Sequence, residues 1–193
     1  MLRFLLIQPG STDLDEQGRI KGSLDIPLNE KGADQVARIV EQLSEMEIDR
    51  VYAAPCQSAR QTAEAVAADH QIKIKCLDRM QNINHGLWHG KLIEEVKTSQ
   101  PKMYKQYQDH PEQACPPGGE SMSQAVERVQ AVLTKLLKKH KHGTIALIVS
   151  DPLASVVRSL LRHCELNDLW QSEQDNGNWE LIELDPGKMA LSY

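Results

Sequence analysis

The sequence predicts an α/β fold in which a mostly parallel sheet is flanked by helices. Short apolar runs alternate with segments of helical periodicity along most of the chain, which is the pattern of βα units. The chain has 193 residues, 40% of them hydrophobic and 25% charged, enough for one sizeable core and so for a single domain over 1–193. The alternation lapses only over about 78–120, and an insertion of that length in a compact domain is expected to act as a lid or cap.

The elements follow in order. Strands are expected at residues 3–7, 50–53, 72–77, 144–149 and 179–184, each an apolar run of strand length. Between the first two, Val36, Ile39, Val40, Leu43 and Met46 recur at helical spacing behind Asn29, a residue type that caps helix starts. A second helix is expected at 57–69, with Ala59, Ala63, Val66 and Ala67 turned inward and small enough to lie close to the strands. Ser121 with Gln124 forms a capping-box pattern, and Met122, Ala125, Val126, Val129, Leu133, Leu136 and Leu137 make one apolar stripe behind it, which is core. Lys138 and Lys139 suit the last turn of that helix, with Gly143 expected as its left-handed terminus. Asp151-Pro152 reads as an N-cap and first helical residue for the helix carrying Val156, Val157 and Leu160.

Composition narrows the partners. A net charge of −5 and a pI of about 5.8 disfavour a nucleic-acid surface, which needs clustered Lys and Arg. No apolar run is long enough to cross a bilayer, so no membrane partner and a cytoplasmic location are expected. Cys56, Cys76, Cys115 and Cys164 are far apart and lack the spacing of a zinc site, which leads us to expect neither disulfides nor a metal.

Five segments then carry a resemblance. Gln8-Pro9-Gly10-Ser11-Thr12 follows the first strand. Gly18-Arg19-Ile20-Lys21-Gly22-Ser23-Leu24-Asp25-Ile26-Pro27-Leu28-Asn29 continues into Glu30-Lys31-Gly32-Ala33-Asp34-Gln35. Ala54-Pro55-Cys56-Gln57-Ser58-Ala59-Arg60-Gln61-Thr62-Ala63 precedes the second helix. Met80 to Gly90 holds Asn82, His85, Gly86, Trp88 and His89, and Pro117-Gly118-Gly119-Glu120-Ser121 precedes the long helix. In this order, and with Ser150-Asp151-Pro152 closing a later strand, they resemble the histidine phosphatase superfamily, which includes the cofactor-dependent phosphoglycerate mutases. The resemblance implies a phosphoglycerate mutase-like three-layer sandwich.

It also implies where chemistry would sit. Active members of that family use a His nucleophile, two Arg and a second His around the phosphoryl group, and a Glu that protonates the leaving oxygen. By the same alignment this chain carries Gln8 for the first Arg, Pro9 for the nucleophile, Ser58 for the second Arg, Asn82 for the acid and Asp151 for the second His. Proline offers neither a side-chain donor nor a backbone N–H. A unit charge about 5 Å from a phosphate charge is worth roughly 3 kcal/mol at an effective dielectric near 20, so exchanging cations for one anion removes several kcal/mol of phosphate binding. Arg60, two residues beyond Ser58, points about 200° round the helix and is a poor substitute.

The reading is therefore a catalytically degenerate phosphatase-like protein, a pseudoenzyme with a binding or regulatory role and no cofactor. Its ligand would be an unknown small molecule or protein partner, held in a pocket to which Gly10, Ser11, Thr12, Gly22, Ser23, His85 and Glu120 also contribute. A homo-oligomer or pairing with an active relative fits the same reading. The alternative is a phosphatase or hydrolase of altered mechanism in the same cleft. A metal chelated by His85 and His89, a triad of Ser58, one of those His and Asp151, and a nucleophilic Cys56 are weaker options, because each needs a geometry or an adjacent cation that the sequence does not supply.

Overall fold

A computed structural model of the chain describes residues 1–172 and 176–184. Its centre is β1 (Leu2–Ile7), where Phe4, Leu5, Leu6 and Ile7 are all buried. A run buried on both faces belongs to a strand covered by helices on both sides, which is why it lacks the alternation of a half-exposed strand. β1 pairs in parallel with β4 (Gly143–Ile148), β4 with β2 (Arg50–Ala53), and β2 with β3 (Ile74–Cys76). β5 (Trp179–Leu184) runs antiparallel along the other side of β1, giving the order β3-β2-β4-β1-β5. The mostly parallel α/β sheet is as expected.

Helices fill the connections. After the short α1 (Asp13–Glu16), α2 (Glu30–Leu43) begins where Asn29 Oδ1 accepts the Gly32 N–H at 2.8 Å. It buries Val36, Ile39 and Leu43 beside α3 (Gln57–Asp69), whose Ala59, Ala63 and Val66 lie against the sheet. α6 (Met122–Lys139) opens with the expected capping box: Gln124 N–H donates to Ser121 Oγ at 3.2 Å, and Ser121 N–H to Gln124 Oε1 at 2.9 Å. Its apolar stripe packs beside α7 (Leu153–Arg162).

Several boundaries differ, for local reasons. β3 is shorter than 72–77, since it is an edge strand paired only with β2 over three residues. Met46 lies beyond α2, half-buried in the turn that follows Leu43. Gly143 is the first residue of β4 and not a helix terminus; it holds φ +94°, and a Cβ there would meet Asp49 Oδ2 at 2.5 Å. α7 starts one residue later than expected, with Pro152 at its N-cap and Asp151 one position outside.

Residues 78–120 fold into short pieces: 3₁₀ turns at Asp78–Met80, Gly86–Trp88 and Pro111–Gln113, and the helices α4 (Ile93–Ser99) and α5 (Pro101–Asp109). An aromatic cluster ties them to α8 (Leu169–Ser172). Tyr104 stacks on Trp170 at 4.8 Å between centroids, Tyr107 lies 4.6 Å from Trp170, and Trp88 5.6 Å from it.

At the other end of α6, His140 sits with Nε2 2.9 Å from Tyr52 Oη. Burial, and then the cations Lys139, Arg50 and Lys75, hold its pKa below the usual 6.5. The unfolded chain therefore binds the proton more tightly. Stability from this site is whole above pH 6.5 and falls as the pH drops below it towards the folded value. Melting curves across that range should show a gentler acid slope for His140→Gln than for the unaltered chain.

Candidate functional site

The carboxyl ends of β1, β2 and β4 lie level, since Ile7 and Ala53 both register with Ile148. The loops leaving these ends surround the crevice where open α/β sheets place their ligands. Gln8 leaves β1, Cys56 and Ser58 follow β2, and Ser150 and Asp151 follow β4.

Three of the five positions that the sequence singled out are joined directly. Gln8 Nε2 donates to Asp151 Oδ2 in a short hydrogen bond. Asp151 Oδ1 accepts the Ser155 N–H at 3.0 Å and the Ser155 hydroxyl at 2.6 Å. Asn82 Nδ2 donates to the Asp151 carbonyl at 2.7 Å, while its Oδ1 accepts N–H groups of Ile83 at 2.9 Å and Leu153 at 3.2 Å. All three residues are less than 5% exposed. In low dielectric each of these polar groups needs its partner, so the network fixes the three side chains relative to one another.

Pro9 and Ser58 stand at its margins. The Pro9 carbonyl accepts the Gly177 N–H at 2.8 Å, and the Gln8 N–H donates to the Asn178 carbonyl at 2.8 Å, which fastens this turn to the segment before β5. Ser58 Oγ is 3.6 Å from Cys56 Sγ, which lies 4.0 Å from Ser150 Oγ. Arg60 is exposed on α3 while Ser58 is buried, as the helical spacing predicts.

The other expected binding residues are largely engaged in the fold. Gly10 lies so near α2 that a Cβ would meet Gly32 O at 2.3 Å. The Ser11 N–H donates to Gln35 Oε1 at 2.8 Å, and Thr12 gives both its N–H and hydroxyl to Asp15 Oδ2 at 2.7 Å. Asp15 also receives Lys21 Nζ at 2.9 Å in a pair whose side chains are 5–6% exposed. His85 is buried below the crevice, with Nδ1 3.1 Å from the Ile83 carbonyl and Nε2 3.0 Å from Tyr107 Oη. His89 Nε2 accepts the Ser23 and His85 N–H groups, each at 3.2 Å, which occupies the lone pair a metal would need. Glu120 grips Arg128 at 2.6 and 3.0 Å, and Arg128 donates onward to the Arg79 carbonyl at 2.8 Å, beside the Asn82 carbonyl.

Among the described residues, a cleft of about 190 Å³ is lined by Gly22, Ser23, Asp25, Pro55, Cys56, Gln81 and Asn82. That is below the roughly 300 Å³ at which small-molecule pockets usually begin. Gly22, Ser23 and Asn82 are the only residues it shares with the expected set. Asp25 was missed by sequence reasoning: its carboxylate accepts the Gln57 N–H at 2.7 Å and so caps α3 from a distant segment. Lys21 and Asp15 were also missed, although Thr12 and Asp15 show the capping-box spacing. A larger cleft of about 660 Å³ lies between α5 and the end of α7, and none of the expected site residues lines it.

The family model for the histidine phosphatase superfamily (branch 1) matches residues 4–193. Phosphoserine phosphatase 1 of Hydrogenobacter thermophilus is 26% identical over 191 residues, covering 99% of this chain and 90% of that protein. Phosphoglycerate mutase-like protein 4 of Arabidopsis thaliana is 30% identical over 159 residues, covering 81% and 68%. Among solved structures, Bacillus stearothermophilus YhfR superposes with a TM-score of 0.85 at 23% identity, over 97% of this chain and 93% of that one.

Proposed function

Since the chain belongs to the histidine phosphatase superfamily, we propose that it keeps the family scaffold as a cytoplasmic binding or regulatory protein and does not carry out phosphohistidine chemistry. The supporting observation is the closed Gln8, Asp151 and Asn82 network. It fills with satisfied hydrogen bonds the place where a phosphoryl group would have to be surrounded by donors. Asp151 adds a negative charge there, and the nearby cations Lys21 and Arg128 are each committed to a carboxylate. Pro9 supplies no nucleophile, and its carbonyl is already bonded to Gly177. In this reading residues 78–120 are a cap held shut by the aromatic cluster, and the partner is a second protein, such as an active relative, or a small molecule that is not a phosphate ester.

The comparisons on their own favour a second reading, a phosphatase of altered mechanism in the same cleft, because relatives matched over nearly the whole chain are named as phosphatases. One experiment separates the two. Purified protein is assayed against phosphoserine and a panel of other phosphate esters, with a mock purification as control, and its melting temperature is measured with vanadate. The first reading expects no turnover above control and no vanadate shift. Turnover that survives purification and is lost in Asp151→Asn would establish the second.

A further inference from the structure

One face of the β2–β3 edge of the sheet, where the last turn of α6 covers it, gathers positive charge. Arg50 opens β2, and Tyr52, two residues along, points to the same face. Lys75 is the register partner of Tyr52 on β3 and so shares that face. α6 ends over it: Lys138 and Lys139 form its last turn, and His140 meets Tyr52 both by the 2.9 Å contact and ring edge to face at 6.0 Å. Arg50, Lys75, Lys138 and Lys139 are all exposed. No ion pair joins any of the four to a carboxylate among the described residues. Asp49, the residue before β2, turns its Oδ2 to the Thr144 N–H at 2.7 Å.

Such a gathering is costly in isolation. Burial is the first cause that disfavours protonation of His140, and Lys139, Arg50 and Lys75 all reach the ring and add to it. The carbonyl end of α6 opposes an incoming anion with about half a unit of negative charge, and Lys138 and Lys139 more than offset it. We propose that this face binds a chain of linked phosphates, as found in inorganic polyphosphate or in the tail of a nucleoside triphosphate. Neighbouring strands are about 4.8 Å apart and alternate residues about 6.6 Å apart along a strand, so the cations spread over roughly 10 Å. One phosphate cannot touch them all; two or three linked ones can. Arg50 Nη1 donates to the Asp49 carbonyl at 2.6 Å, its Nε and Nη2 edge suits two oxygens of one phosphate, and the lysines act as point charges on the others. A nucleic-acid duplex is disfavoured, because the patch is short and the rest of a chain of net charge −5 repels the flanking phosphates.

Proton linkage supplies an independent signature. A bound anion favours the imidazolium of His140, so the complex takes up a proton and tightens as the pH falls. The test is calorimetric titration with inorganic tripolyphosphate at low ionic strength, at two pH values, on the full chain and on Arg50→Gln/Lys75→Gln. Both positions are exposed and lie far from the Asp151 network, so the fold should stand. Binding should be tighter at the lower pH, weaken with salt, and fall on the order of tenfold or more in the double variant, and the His140 ring resonance should shift on binding only in the unaltered chain. Pyrophosphate and ATP arms identify the source: equal binding of ATP and tripolyphosphate marks the phosphate tail as the recognised group. The proposal fails if tripolyphosphate does not bind, if the double variant binds it equally well, or if only an oligonucleotide or vesicles containing phosphatidylserine are retained.

Discussion

Asp151→Ala is expected to destabilise the fold by about 2–5 kcal/mol, because it strands the Gln8 amide and the Ser155 N–H in the interior without acceptors. For a chain of this length that corresponds to a fall in melting temperature on the order of 10 °C. Asp151→Asn is the informative companion. Its oxygen can still accept from Ser155, and the Gln8 amide can rotate to present its own oxygen to the new NH₂ group, so the loss should be about 1 kcal/mol. Urea unfolding of both variants tests this. The outcome also bears on function: a residue held ready for a ligand tends to be removable without loss of stability, or even with a gain, whereas one that closes a network is not. An Asp151→Ala variant as stable as the parent would therefore reopen the site as a ligand pocket.

Trp88→Ala should cost about 3–5 kcal/mol, the range for truncating a large buried aromatic. Trp88 is 1% exposed, donates its indole N–H to Gln100 Oε1 at 3.0 Å, and packs against His85, Tyr107 and Trp170. The loss should be local before it is global. In hydrogen exchange, amides of the 3₁₀ turn at Gly86–Trp88 and of α4 and α5 should lose protection while those of β1 and β4 keep theirs. Uniform loss across the sheet would mean that residues 78–120 are part of one cooperative unit with the core.

The contrast between these regions parallels what could be read before the structure. α3 spans the expected residues, and α6 begins at the expected box, because a stripe of small or apolar residues and a cap are signals confined to a dozen neighbours. The Gln8 to Asp151 bond joins residues 143 apart, and no periodicity encodes it. The alignment of motifs did bring the five positions to one crevice. It did not reveal that Ser155 and the loop at Asn176 to Asn178 would complete their hydrogen bonding, nor that the Ser11 N–H, Thr12 and Glu120 would bond to Gln35, Asp15 and Arg128. The spacing of Asp151 and Ser155, four residues at the mouth of a helix, was a signal that could have been read.

The Gln8 to Asp151 contact also bears on the routes open to the chain in sequence space. A guanidinium introduced at position 8 alone would meet the Asp151 carboxylate and pair with it, neutralised before any phosphate arrived. An imidazole introduced at position 151 alone would lose the acceptors that Ser155 and Gln8 now use, and so would cost stability. The two positions are thus coupled through one hydrogen bond, and a substitution at either is expected to be tolerated best when the other changes with it.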